Sequence, residues 1–326
     1  MDSKKPVFIS GLYRSGTTIL TRILDQNENI KSTYDTIHYM RFSYNKYAPI
    51  ENNYKQLIKD TSSRIKDRWN MNLDTTAIFN LLEERNISEA SVYNAIMTVF
   101  LKIKNNQRWC EKTNVNWESI PHFLKMFPNA KVIHIYRDPR AVLASYREMT
   151  IHKENFMYMD AIFASLAMFN FISLIEIKKN PNILLLKYED FVSYPEQYTK
   201  KVCSFLDISY NSKMLDVKSY KDKFGKKFDT DSSFTAQKNN IDTSSLDLWK
   251  KELSKLEIFL CEKILREKLI QFNYSLKNPT LNNEEQNSLN RILNTPFINK
   301  RYSYYLKHLN GLEAYPNSPG AYDFNE

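Results

Sequence analysis

The chemistry in this chain gathers first at Gly11-Leu12-Tyr13-Arg14-Ser15-Gly16-Thr17-Thr18, between a short apolar run, Pro6 to Ser10, and a helix-period pattern ending near Leu24. Between a buried strand and a helix, loop N–H groups aim partial positive charge at an anion, so the stretch predicts a phosphate cradle. Its spacing is close to the nucleotide P-loop, GxxxxGK followed by Ser or Thr. Thr17 stands where that motif has Lys, and the cation is Arg14, inside the loop. A second junction of the same kind follows the β-branched run Lys131 to Tyr136: Arg137-Asp138-Pro139-Arg140 leads into the helical AVLASYREM. Asp138 suits an N-cap and Pro139 a first turn, so this junction also points a helix N-terminus and cationic groups outward. Lys112, in Trp109-Cys110-Glu111-Lys112-Thr113-Asn114, adds a cation where the chain returns to the sheet. Asp35 and His38, in NIKSTYDTIHY (Asn29 to Tyr39), can each accept a proton near the cradle.

These groups need a frame that brings strand ends together. Besides the runs at Pro6 and Lys131, Asn182 to Lys187 (NILLLK) reads as a strand, leading into Tyr188-Glu189-Asp190-Phe191 and a helix from beyond Pro195 to near Leu206. Strands alternating with helices predict an α/β fold, a three-layer P-loop-type parallel sheet flanked by helices, with ligands at the carboxyl ends of the strands. Residues 44–105 read as a helical insertion that shapes an acceptor pocket, including helices over Asp74 to Glu84 and over Ser88 to Lys102 with Ser88 as N-cap. Gly225 to Ser245 is polar and reads as a loop, and Leu246 to Phe272 as the last long amphipathic helix. Residues 1–277 then form one domain. Residues 278–326 are a C-terminal extension with a helical piece around Leu289 to Leu293, a Tyr-rich segment and closing turns.

Composition narrows the classes. The 326 residues, 42% of them hydrophobic, can bury a sizeable core. An excess of 46 Lys and Arg over 37 Asp and Glu attracts anions without forming a basic tail. Cys110, Cys203 and Cys261 lack any CxxC pair, so neither a disulfide framework nor a zinc site is expected. The apolar run Ala161 to Ile175 falls short of the ~20 residues a spanning helix needs and reads as a core helix, with no membrane span. With the first strand so near Met1, no signal peptide or anchor is expected ahead of it, and the expected location is cytoplasmic.

Taken together, the blocks resemble the sulfotransferases that use 3′-phosphoadenosine 5′-phosphosulfate (PAPS). GLYRSGTTIL is similar to the family's 5′-phosphosulfate loop in the Arg-Ser-Gly-Thr-Thr form of carbohydrate, tyrosyl-protein and bacterial sulfotransferases. VIHIYRDPRAVLAS resembles its 3′-phosphate block, and LLLKYEDFVSYPEQYTKKVCSFLDI its third strand and helix. The resemblance spans roughly Pro6 to Tyr274. It implies that Arg14, Ser15, Gly16, Thr17 and Thr18 bind the 5′-phosphosulfate and that Arg137 and Ser145 bind the 3′-phosphate. Tyr188, Ser233 and Phe234 would lie near the nucleotide. Arg suits this task because its planar fork binds phosphate oxygens bidentately. A sulfuryl group carries less negative charge than a phosphoryl, so loop N–H groups and cations can suffice and no metal is expected.

Lys112 resembles the family's lysine at the transferred group and takes the electrophilic role together with Arg14. In the cytosolic aryl and steroid branch a Lys-Thr-His run supplies the base. Here the run is Lys112-Thr113-Asn114, and an Asn cannot accept the proton. In the tyrosyl-protein and carbohydrate branches an acidic residue in the segment after the first helix plays that part, and the resemblance implies Asp35 as the base, with His38 and Glu111 behind it. The expected activity is transfer of a sulfuryl group from PAPS to a hydroxyl of a carbohydrate or small metabolite (EC 2.8.2.-), releasing 3′,5′-ADP. A homodimer is compatible with the Tyr-rich extension.

Two competing classes rank behind. A P-loop kinase or ATPase could use Asp138 as its Mg²⁺-holding carboxylate, but Thr17 in place of Lys argues against it. A nucleic-acid binder is suggested only by the +9 charge and the aromatic content, and no nucleic-acid partner is expected. Arg140 reads as a surface or helix-dipole partner. His122, His134 and His308 read as structural, and Tyr302, Tyr304 and Tyr305 as core and interface.

Overall fold

Short runs rich in β-branched and apolar residues build the centre of the protein, seen in a computed structural model that describes residues 5–150, 153–221, 241 and 243–311. The strands are Val7–Gly11 (β1), Ile30–Tyr34 (β2), Arg108–Lys112 (β3), Lys131–Tyr136 (β4) and Ile183–Lys187 (β5). They form one sheet in the order β2-β3-β1-β4-β5, with every pairing parallel. Alternate residues face opposite sides: Phe8 and Val132 join one apolar cluster, Val7, Ile9, Ile133 and Ile135 the other. Both faces are therefore covered, as an all-parallel sheet requires. This is the three-layer α/β architecture expected from the strand and helix alternation.

Register places the chemistry on one rim. Gly11 pairs with Ile135, Ile9 and Tyr34 both pair with Lys112, and Tyr136 pairs with Lys187. The turns after β1, β2, β3 and β4 thus leave the sheet at the same end. Central β1, wholly buried, sets the position of the others.

Several helices follow their sequence signals. Asp74 caps Thr75–Leu82 by accepting from the Ala77 N–H at 2.9 Å, and Ser88 closes a capping box at Glu89–Phe100. These two helices and Ile50–Trp69 lie within residues 44–105. The helix beyond Pro195 runs from Pro195 to Phe205.

Differences have local causes. β2 goes unrecognised in sequence because Ile30–Tyr34 is only mildly apolar, and pairing with β3 makes it a strand. The long helix over Leu246 to Phe272 is broken. A short turn, Trp249–Glu252, precedes Lys255–Gln271, which Ser254 starts afresh with a capping box to Glu257. Arg140 is not at the surface: it is buried, pairs with Asp138 and Glu262 at 2.8 and 2.6 Å, and lies 4.0 Å from the Trp249 ring centroid.

The run Ala161 to Ile175 lies in Asp160–Lys178. Within the described residues, Met157–Lys178 is long and apolar enough to cross a membrane, but 67% of its apolar 18-residue stretch is buried inside the protein. Part of that cover comes from the C-terminal extension, whose helices are Asn283–Leu293 and Pro296–His308. Leu289 and Ile298 are buried, Arg301 pairs with Asp160, and Asn170 Nδ2 donates to Asn310 Oδ1 at 2.7 Å. We propose, on these contacts, that residues 278–311 are part of the domain's hydrophobic core rather than a separate unit. The three cysteines are free and buried.

Candidate functional site

The loop after β1 reaches its cradle shape through two residues in the left-handed region. Arg14 has φ +66° and Gly16 φ +96°. A Cβ at Gly16 would lie 2.4 Å from the Tyr188 ring, so the backbone here can approach Tyr188 only without a side chain. Thr17 then begins the helix Thr17–Asp25. Ser15 is fully buried in the loop, and its hydroxyl has no protein partner among the described residues. A buried hydroxyl of that kind suits a loop built around an anion.

Two sequence-distant blocks meet at this loop. Arg14 Nε donates to Ser145 Oγ at 2.8 Å, and Arg137 Nη1 donates to the Arg14 carbonyl at 2.9 Å. Arg137 Nη2 donates to the Ser245 carbonyl at 2.9 Å, and its guanidinium lies 4.4 Å from the Tyr188 ring centroid. Tyr188 Oη and Ser245 Oγ are 3.3 Å apart. Burial, then the neighbouring Arg137 charge, pushes Arg14 down to about 10, which leaves it cationic at neutral pH. Ser245 carried no sequence signal beyond its place in a polar loop. Ser233 and Phe234 lie outside the described residues.

A second cluster sits at the ends of β2 and β3. Lys112 Nζ donates to Asp35 Oδ2, and His38 Nε2 lies 3.5 Å from Asp35 Oδ1. His38 Nδ1 is 3.2 Å from Thr113 Oγ1. Lys112 is almost fully buried whereas the Asp35 side chain is 41% exposed, so the carboxylate is the member of this pair that solvent or an acceptor can reach. Burial pushes His38 down to about 3 against the opposing pull of Asp35, so the imidazole is neutral. Between the clusters, Thr17 Oγ1 donates to Asn114 Oδ1 at 2.9 Å. Asn114, which cannot serve as a base, thus ties the cradle to the Lys112 turn.

Glu111 points elsewhere. It is buried on the opposite face of β3 from Lys112, with Tyr93 Oη donating to it. Burial raises its carboxyl to about 7, while Tyr93 and the backbone N–H groups of His38 and Tyr39 oppose the rise. Of the three groups considered for proton acceptance, Asp35 is the one at the open side of Lys112. A groove of about 510 Å³ lined by Lys5, Pro6, Asn94 and Ala130 lies before the start of β1 and β4, away from this rim.

A parallel sheet with two cationic strand-end turns and a lysine–carboxylate pair along one rim has the P-loop-like α/β architecture. Within that class the chain belongs to the sulfotransferase family, whose profile matches residues 6–212. It is similar to protein-tyrosine sulfotransferase A of Caenorhabditis elegans, 24% identical over 218 residues, 64% of this chain and 51% of that protein. A putative protein-tyrosine sulfotransferase of Caenorhabditis briggsae is 23% identical over 250 residues, 74% of this chain and 80% of that one. The chain thus spans about half the length of the first of these relatives. Among solved structures, the sulfotransferase domain from the Synechococcus PCC 7002 olefin synthase shares the fold. Its TM-score is 0.56 at 20% identity, covering 85% of this chain and 98% of that one.

The cytoplasmic expectation is corrected by these relatives, which are protein-tyrosine sulfotransferases. That expectation rested on how near the first strand lies to Met1, and the distance from a chain's start to a strand carries no address.

Proposed function

We propose that the protein transfers a sulfuryl group from PAPS to a hydroxyl. The observation that carries this reading is the meeting of the two phosphate-type blocks: Arg14 bonded to Ser145, with Arg137 on the Arg14 carbonyl. One polyanion with phosphates at both ends of a nucleoside accounts for two cationic turns on one rim. On this reading Ser15, Gly16, Thr17 and Thr18 offer loop donors to the 5′ end, Arg14 lies between the two ends, and Arg137 and Ser145 take the 3′-phosphate. Tyr188 flanks the nucleoside.

In the transfer step the acceptor oxygen forms a bond to sulfur as the bond from sulfur to the 5′-phosphate oxygen breaks. The acceptor proton passes to Asp35, and 3′,5′-ADP leaves. Lys112 stabilises charge growing on the departing oxygen, and neutral His38 orients Asp35. For the acceptor we favour a tyrosyl hydroxyl in a peptide over the sugar or metabolite expected from sequence, because the relatives named above are protein-tyrosine sulfotransferases.

Calorimetric titration with 3′,5′-ADP should show binding and raise the melting temperature. Labelled PAPS offered with tyrosyl peptides and with simple sugars should label the peptides, and excess EDTA should leave the rate unchanged. Absence of both heat and thermal stabilisation discards the PAPS reading; labelled sugars alone discard the tyrosyl acceptor. Turnover of ATP that EDTA abolishes would instead favour the P-loop kinase.

A further inference from the structure

The turn that carries Asp35 is held in an uncommon shape. Asp35 and His38 both have left-handed backbones, φ +54° and +48°, in a segment without glycine. Two groups grip the backbone between and beyond them. From the insertion helix Ile50–Trp69, the Arg64 guanidinium donates to the Thr36 carbonyl at 3.1 Å and to the Ile37 carbonyl, and it packs 4.5 Å from the Phe42 ring centroid. On the other side the buried Glu111 accepts from Tyr93 Oη of the helix Glu89–Phe100 and holds that ring in place. Tyr39 stacks on Tyr93 at 4.1 Å between ring centroids. The turn is thus gripped through its carbonyls by a cation and, just beyond them, through the Tyr39 ring, so it is held from both sides.

We infer that Arg64 and Glu111 are positioning residues that hold the Thr36–Ile37 turn so that Asp35 stays against Lys112. The insertion would then set the geometry of proton acceptance as well as wall an acceptor pocket. A carboxylate must sit within hydrogen-bond reach of its proton, and a displacement near 1 Å lowers the rate about 100-fold. This inference rests on Asp35 being the base.

The test compares Arg64→Ala, Arg64→Lys, Glu111→Gln and Asp35→Asn with the unaltered protein. Transfer from PAPS to a tyrosyl peptide, affinity for 3′,5′-ADP, and hydrogen exchange of peptides spanning residues 30–42 are read for each. Arg64→Ala should lower kcat about 100-fold, leave nucleotide affinity and KM for PAPS within about twofold, and speed exchange in the turn. Arg64→Lys, which keeps the cation without the planar fork, should recover part of the rate, and Glu111→Gln should lower kcat in the same selective way. Unchanged kcat and exchange in Arg64→Ala overturn the inference, as does a loss of nucleotide affinity equal to the loss of kcat. If Arg64→Ala does not fold, the Lys and Gln variants carry the same two readings. Normal turnover in Asp35→Asn discards the base assignment, whereas lost turnover there with normal turnover in Arg64→Ala discards the clamp alone.

Discussion

Asp35 and Lys112 are paired across neighbouring strand ends, and that pairing gives each a task that neither could perform alone. The buried ammonium aims the carboxylate, while the exposed side of Asp35 remains open to an acceptor. His38 contributes as a neutral imidazole, since burial has pushed its pKa to about 3 and it cannot titrate as a base near neutrality. Asp35→Asn preserves shape and removes the proton acceptor. We expect kcat to fall roughly a thousandfold while 3′,5′-ADP binds as before, measured by single-turnover transfer and calorimetry. Equal losses in both would assign Asp35 to folding instead. Asp35 and Lys112 were each legible in sequence, as an acid near the cradle and a cation where the chain returns to the sheet; their pairing was not. Lys112 lies far along the chain, and only the register of β2 on β3, Tyr34 beside Lys112, brings the two together.

At the level of elements, the strand–helix junction after β1 depends on one backbone position. Gly16 at φ +96° lies against Tyr188, and an added methyl would meet that ring at 2.4 Å. Gly16→Ala should cost about 1–3 kcal/mol from the strained backbone and should abolish stabilisation by 3′,5′-ADP, both visible in melting curves with and without nucleotide. Adding Tyr188→Ala should recover the part of the loss due to the clash and leave the part due to φ. Full recovery would mean that the left-handed conformation carries no strain. The elements themselves differed in legibility. β4 and β5 announce themselves through KVIHIY and NILLLK, because a doubly covered parallel strand is apolar throughout. β2 does not, since IKSTY is only mildly apolar and becomes a strand through its pairing with β3. Ser254 restarts a helix inside what reads as one continuous amphipathic pattern, and capping there competes successfully with periodicity.

For the molecule as a whole, stability should vary with pH in two opposed ways. His134, fully buried in β4, has no partner for either ring nitrogen among the described residues, and burial lowers its pKa from 6.5 to about 3. The unfolded chain takes up this proton first, so stability is full above about pH 6.5 and is lost as pH falls toward 3. Glu111 is shifted the other way, from 4.5 to about 7; its contribution is full below pH 4.5 and is lost as pH rises through 7. Urea unfolding at several pH values should show His134→Leu with a shallower acid loss. Glu111→Gln should gain on the unaltered protein between pH 5 and pH 8. An unchanged acid slope in His134→Leu would mean that the ring is already charged in the fold. What the sequence by itself determined is local: strand and helix runs, the glycine-bounded cradle, the Arg137 turn and the caps at Asp74 and Ser88, all set by interactions between near neighbours. Tertiary structure alone decided which of these groups meet. It joined Arg14 to Ser145 and Lys112 to Asp35, turned Glu111 into the core, buried Arg140 between two carboxylates, and brought Arg64 onto the Asp35 turn. Those outcomes follow from strand order and register, which depend on burying the whole sheet at once and which no local stretch of residues encodes.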